Sequence, residues 1–347
     1  MIDAKTLKTW SPPADWSRIT TLDLHTEGEP FRVVTGGLPD LPGETILEKR
    51  RYMKDRLDHL RTALMWEPRG HADMYGCIVT PPTTEGADFG VLFLHNEGYS
   101  TMCGHGIIGI ATAVVETGAV AAVEPVTTLT IDAPAGRVIA HARVEGGRVK
   151  SVYFQNVPSF VLAKEETVEV PGIGAVQYDL AFGGAFYAFV SAESVGLSTQ
   201  PSDFAALVQK GMAVKSAVMA SRKIEHPFEP DLSFLYGTIF VGPPRTPDAH
   251  SSNVCIFAEG EVDRCPTGTG VSARLAIHHA AGDVGTDEPI VVESILGTRF
   301  TGRVLKTTRF GPYDAVIPQV EGTAKITGRH EFLIDPDDPL KKGFVLR

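Results

Sequence analysis

The stretch "CGHGIIGIATAVVETGAV", from Cys103, returns in outline as "TGTGVSARLAIHHAAGDV", from Thr267, at an offset of 164 residues. At that offset Gly104 meets Gly268, Gly106 meets Gly270, Gly118 meets Gly282 and Val120 meets Val284. The runs ahead of them also align, with "VLFL" from Val91 opposite "CIFA" from Cys255. Each copy reads as strand, loop, paired glycines, apolar helix and glycine stop. Self-similarity of this kind predicts a duplicated fold with two pseudo-equivalent halves. Each half would aim a helix N-terminus at a shared cleft. Free N–H groups and partial positive charge suit such a cleft to a small carboxylate or phosphate. In this register the first copy presents Cys103 and the second Thr267, so Cys265 is displaced by two positions.

The rest of the chain fits that frame. Its 347 residues suffice for two domains, and 43% hydrophobic with 21% charged residues is an ordinary globular composition. Short runs rich in β-formers dominate, among them "GVLFLHN", "VTTLTIDAPAG" and "FLYGTIFVG", punctuated by glycine and proline. Helical patterns are fewer, at 48–64, 106–117, 201–225 and 270–281. The expected class is mixed α/β (α+β) without regular β-α-β alternation. The first half is expected over residues 1–180, joined by a returning C-terminal strand from about 330–347, and the second over 181–330.

Other function classes find little support. A formal charge of −10 argues against a nucleic-acid partner. No apolar run of about 18 residues predicts a membrane span, and the N-terminus lacks a signal-peptide pattern. Four cysteines in a chain this long do not form a disulfide framework, which points to reduced thiols and the cytoplasm. "GHGIIG" and "GTGVSA" match the dinucleotide fingerprint literally. The acidic residue expected about 20 positions on is not convincingly placed after the first copy, and the strand context is wrong. Cys103 with His105, His71 with Asp73, and His278 with His279 match no metal-ligand spacing. No serine sits in a nucleophile elbow.

Cys103 is the strongest chemical candidate. At a helix start the dipole favours the thiolate, which serves as nucleophile or base. Cys77 and Cys255, in apolar strand patterns, are expected to be buried structural cysteines.

At these residues the chain resembles the proline racemase family. The resemblance runs through "DLHTEGEPFRVV" from Asp23, "MWEPRGHADMYG" from Met65, "NEGYSTMCGHGIIG" from Asn96, "GGAFYAFV" from Gly183 and "DRCPTGTGVSAR" from Asp263. It implies a fold similar to diaminopimelate epimerase, with two halves of strands wrapped around a central helix and the active site between them. The family's racemases and 4-hydroxyproline epimerases carry D-R-S-P-C-G-T-G in the second motif, so that two cysteines flank the substrate α-carbon. Here Cys265 stands at the serine position and Thr267 at the cysteine position. That is the pattern of the family's trans-3-hydroxy-L-proline dehydratases, which are lyases acting without a cofactor.

The resemblance therefore implies Cys103 as the catalytic base acting on a small imino acid. Backbone N–H groups of Gly104, His105, Gly268 and Thr269 would hold the carboxylate, and the His105 and Asp263 side chains would contact the ring nitrogen. Thr267 would either bind the substrate hydroxyl or fill space. Three alternatives stay open: a proline racemase or 4-hydroxyproline 2-epimerase that recruits Cys265, a non-catalytic imino-acid binder, and an NAD-linked oxidoreductase. No metal is implied, and a homodimer stays open as the assembly.

Overall fold

The structure, a computed structural model, describes residues 2–346. Strand pairing sorts the chain into two sets. The first contains β1 (Ser17–Thr26), β2 (Glu29–Gly36), β3 (Tyr75–Thr80), β4 (Phe89–His95), β5 (Val126–Ala133), β6 (Gly136–Glu145) and β7 (Arg148–Gln155). Helices α1 (Ala4–Thr9), α2 (Ile46–Arg56), α3 (Asp58–Met65) and α4 (Gly104–Glu116) lie in the same stretch. The second contains β8 (Ser159–Val170), β9 (Gly174–Phe182), β10 (Phe186–Ser191), β11 (Leu235–Gly242), β12 (Ser251–Phe257), β13 (Glu261–Val262), β14 (Ile290–Glu293), β15 (Arg299–Phe310) and β16 (Tyr313–Gly322). It also carries α5 (Phe204–Ser221) and α6 (Gly268–Ala281). The last strand, β17 (Ala324–Ile334), returns to pair with β1.

The two sets share one wiring. In the second, β8 to β12 pair in sequence order, then β14, β15 and β16 follow, and β16 closes the ring on β8. Only β10–β11 and β12–β14 are parallel. In the first, the order is β17–β1–β2–β3–β4–β5–β6–β7, with β2–β3 and β4–β5 parallel. The halves join through antiparallel β7–β16, where Gln155 lies opposite Gln319. Those residues are themselves one repeat offset apart, so the pseudo-two-fold axis passes between them.

The expected edge near residue 180 falls between β9 and β10, which are hydrogen-bonded neighbours. The pairings instead break between β7 and β8, because β8 leaves the first set to line up with β9. The strand expected from about 330 begins at Ala324. Each half thus receives its outermost strand from a crossover, which a local sequence pattern does not reveal.

Each barrel wraps one apolar helix. Every residue of α4 except Val114 and Glu116 is buried, as expected for a helix that is apolar all round. The first nine residues of α6 are buried too, while its last turn carries the two histidines His278 and His279. One core runs through both halves, holding Ile107 and Ile108 of α4 beside Val271 and Leu275 of α6.

Both central helices begin two residues earlier than the sequence pattern predicts, at Gly104 and Gly268. Glycine is a poor helix former, so the pattern reads it as loop. Tertiary contact overrides that preference. A Cβ on Gly104 would lie 2.7 Å from the Gly268 Cα, and one on Gly268 would lie 2.8 Å from the Gly104 Cα. The helix starts touch backbone to backbone. The helix expected over 48–64 is broken at Leu57 (φ −126°, ψ 15°), after a Thr45–Glu48 capping box starts it at Ile46. The pattern expected to end at residue 225 stops at Ser221, where Arg222 turns extended. Among the described residues no helix is long and apolar enough to cross a membrane.

Candidate active site

The touching helix starts make the floor of a small cavity. Its lining includes all seven residues singled out from the sequence: Cys103, Gly104, His105, Asp263, Thr267, Gly268 and Thr269. The volume is about 20 Å³, room for about one water molecule.

Cys103 is the N-cap of α4, and its Sγ accepts the Gly106 N–H at 3.1 Å. Its Sγ lies 3.4 Å from His105 Nδ1. The helix start was expected to favour the thiolate. Burial outweighs that effect and pushes the thiol well up, with the acidic side chains of Asp263 and Glu29 adding to the rise. The Gly106 N–H and the Tyr75 side chain pull the other way. In this cavity the thiol therefore carries its proton near neutral pH. Burial brings His105 down to about 4, partly opposed by Asp263, so its ring is neutral at pH 7.

The other helix start is built differently. Thr267 has φ 66° and ψ 96°, and its side chain makes no capping hydrogen bond. A β-branched residue at positive φ is a genuine outlier. The Thr267 Oγ1 is buried without a hydrogen-bond partner of ordinary geometry, beside the Cys255 thiol. Thr269 Oγ1 instead bonds the Tyr187 hydroxyl at 2.7 Å. Asp263 Oδ1 accepts the Cys265 N–H at 2.9 Å and so holds the turn leading into α6.

Several site residues were missed. Tyr75, Tyr187 and Tyr236 line the cavity, and burial raises all three phenols, which keeps them neutral. The Tyr75 hydroxyl meets that of Ser100, and its ring stands edge-on to His105 with centroids 4.6 Å apart. Cys255 also lines the cavity rather than serving only as strand filler. Cys265 does not line it; its Sγ accepts the Thr267 N–H at 3.4 Å. Behind the site the Arg264 N–H donates to Glu29 Oε2 at 2.6 Å, and Arg264 Nη1 donates to Asp73 Oδ2 at 2.7 Å. These bonds tie the second half to the first. Burial and the nearby Asp263 push the Glu29 carboxyl well up. "HTEGEP", "HADMYG" and "GGAFYAFV" hold Glu29, Asp73, Tyr75 and Tyr187, but nothing in their spacing marks these as site residues.

The family model described as proline racemase matches residues 21–345. The chain belongs to the proline racemase family. A protein of Colwellia psychrerythraea named trans-3-hydroxy-L-proline dehydratase is 49% identical over 341 residues, covering 97% of this chain and 96% of its own. A Burkholderia multivorans protein named 3-hydroxyproline 2-epimerase is 46% identical over 329 residues, covering 95% of this chain and 98% of its own. The crystal structure of a hydroxyproline epimerase from Agrobacterium vitis, with bound trans-4-hydroxy-L-proline, superposes with a TM-score of 0.91 at 33% identity. It covers 96% of each chain. The mixed α/β architecture of two strand-wrapped halves is thus that of the family.

Proposed function

We propose that this chain is a trans-3-hydroxy-L-proline dehydratase, a hydro-lyase that yields Δ1-pyrroline-2-carboxylate. One observation carries the reading: the paired helix starts hold a thiol on one side and a threonine on the other. Inversion at an α-carbon needs a base on one face and an acid on the opposite face. A threonine hydroxyl is too weak an acid or base near neutral pH for either task. Elimination needs one face only. In trans-3-hydroxy-L-proline the hydroxyl is trans to the carboxylate and so shares a ring face with the α-hydrogen.

Cys103 removes the α-proton as the thiolate. The C3–O bond breaks as the Cα–C3 double bond forms, and the hydroxyl leaves as water with a proton from the new thiol or a nearby water. The enamine then tautomerises to the cyclic imine. The N–H groups of Gly104, His105, Gly268 and Thr269 hold the carboxylate, where they stabilise charge developing beside it. His105 and Asp263 contact the ring nitrogen. The substrate's ring ammonium brings positive charge close to Cys103, which lowers the cost of the thiolate. The buried Thr267 hydroxyl bonds the leaving hydroxyl, a role its lack of another partner of ordinary geometry supports.

A second reading, 3-hydroxyproline 2-epimerase, is favoured by the Burkholderia relative and by Cys255, which lies beside Thr267. Cys265, the cysteine the racemase and 4-hydroxyproline epimerase alternative would recruit, is not among the residues lining the cavity. The test is the product from trans-3-hydroxy-L-proline, trapped by borohydride as proline. Proline is expected from the native chain. Conversion to cis-3-hydroxy-D-proline without loss of water would overturn the dehydratase reading.

A further inference from the structure

Cys265 is fully buried, carries a thiol and has no part in the mechanism above. It is also the residue that stands where the resembled motif has serine. Its Sγ, one nitrogen of His105 and one carboxylate oxygen of Asp263 all lie within 4.8 Å of one another. Cys103 Sγ lies 3.4 Å from His105 Nδ1, outside this trio. We propose that the trio forms an inhibitory site for a thiophilic divalent cation such as Zn2+, with Cys265, His105 and Asp263 as its protein ligands.

Thiolate, imidazole and carboxylate are the donors that tetrahedral zinc takes, and ligand atoms around it sit about 3.5 Å apart. Contraction from 4.8 Å asks for side-chain shifts of about 1 Å. A dication held there releases the Cys265 thiol proton on binding. No sequence spacing suggests the site, because His105 opens one central helix while Asp263 and Cys265 precede the other.

The ion takes His105 and Asp263 away from the substrate, so binding of metal and of substrate excludes one another. This competition rests on the dehydratase reading; the metal site itself does not. The test uses the full chain with Co2+, read by thiolate-to-cobalt absorbance in the near ultraviolet. One equivalent is expected to bind, and Zn2+ is expected to bleach the band. Cys265→Ser should lose the thiolate band and weaken Zn2+ binding by at least about tenfold, the lower end of what even a partner outside the ligand set contributes. No cobalt–thiolate band in the native chain would overturn the proposal, independently of how the variant folds. Equal Zn2+ affinity in the native chain and a folded Cys265→Ser variant would also overturn it. A cobalt band that trans-3-hydroxy-L-proline does not displace would support the metal site and count against the substrate assignment.

Discussion

The starts of α4 and α6 occupy equivalent places in a duplicated fold, yet they are built to different standards. Cys103 sits in extended backbone at φ −142° and caps its helix through Sγ. Thr267 sits at φ 66°, caps nothing and buries an unpaired hydroxyl. Strain of that kind costs about 1–3 kcal/mol and persists only where the surroundings enforce it. The duplicated scaffold has kept the shape of a two-sided acid–base site, with Gly104 and Gly268 still in backbone contact. What differs is the residue before each helix, in side chain and in backbone, and on the proposed mechanism that difference leaves one face able to move a proton. A catalytic repertoire can narrow in this way while the fold around it stays symmetric.

The largest test of this asymmetry removes each side chain in turn. Cys103→Ser is expected to lower kcat by about 10³-fold or more, since general-base assistance contributes about 10²–10⁴ and serine is a far weaker base. Thr267→Ala should lose only about tenfold. Equal losses, read as initial rates of pyrroline formation, would break the comparison.

The pH dependence sharpens it. The base must be unprotonated, and burial raises the Cys103 thiol. The rate constant kcat/KM should therefore climb about tenfold per pH unit through the alkaline range, reaching its plateau above the ordinary thiol range. His105, titrating at about 4, should add no step between pH 6 and 9. A plateau already at pH 7 would show that the helix start outweighs burial.

The glycine contact predicts a symmetric effect within this asymmetric pair. Gly104→Ala and Gly268→Ala should each cost about 1–3 kcal/mol in denaturant unfolding, because a methyl group at either position meets backbone that must move. A large effect at one position and none at the other would mean that the two starts are not equivalent. The smallest effect is expected from Thr267→Val. Removing a buried, unpaired hydroxyl should leave stability unchanged or raise it by about 1 kcal/mol, while turnover falls if the hydroxyl binds the leaving group.

The fold was legible where tertiary contact had written itself into the sequence. Gly104 and Gly268 stand out because each helix start needs glycine against the other, and that spacing carried the repeat and the facing helices. The return of a C-terminal strand to the first half was expected but not its start at Ala324, and the switch of β8 into the second half was not legible, because nothing local marks where one half ends. The break at Leu57 was hidden because the apolar period continues across it into α3. In the site, the residues around Cys103 and Thr267 share two short motifs and could be read together. Tyr75, Tyr187, Tyr236 and Cys255 come from strands or strand edges buried on both faces, where the sequence offers no alternation to tell a cavity wall from core. Glu29 and Asp73 reveal themselves only through Arg264, 235 and 191 residues further on.

The most direct measurement follows trans-3-hydroxy-L-proline, L-proline and trans-4-hydroxy-L-proline by proton NMR with the native chain in D2O, with chiral analysis of the recovered imino acids. One working face predicts pyrroline from the 3-hydroxy compound alone. Any α-deuterium taken up by the other two should appear with the L configuration retained. D-proline or cis-4-hydroxy-D-proline in the recovered material would contradict the account, because a second acid–base group would then be acting from the Thr267 side.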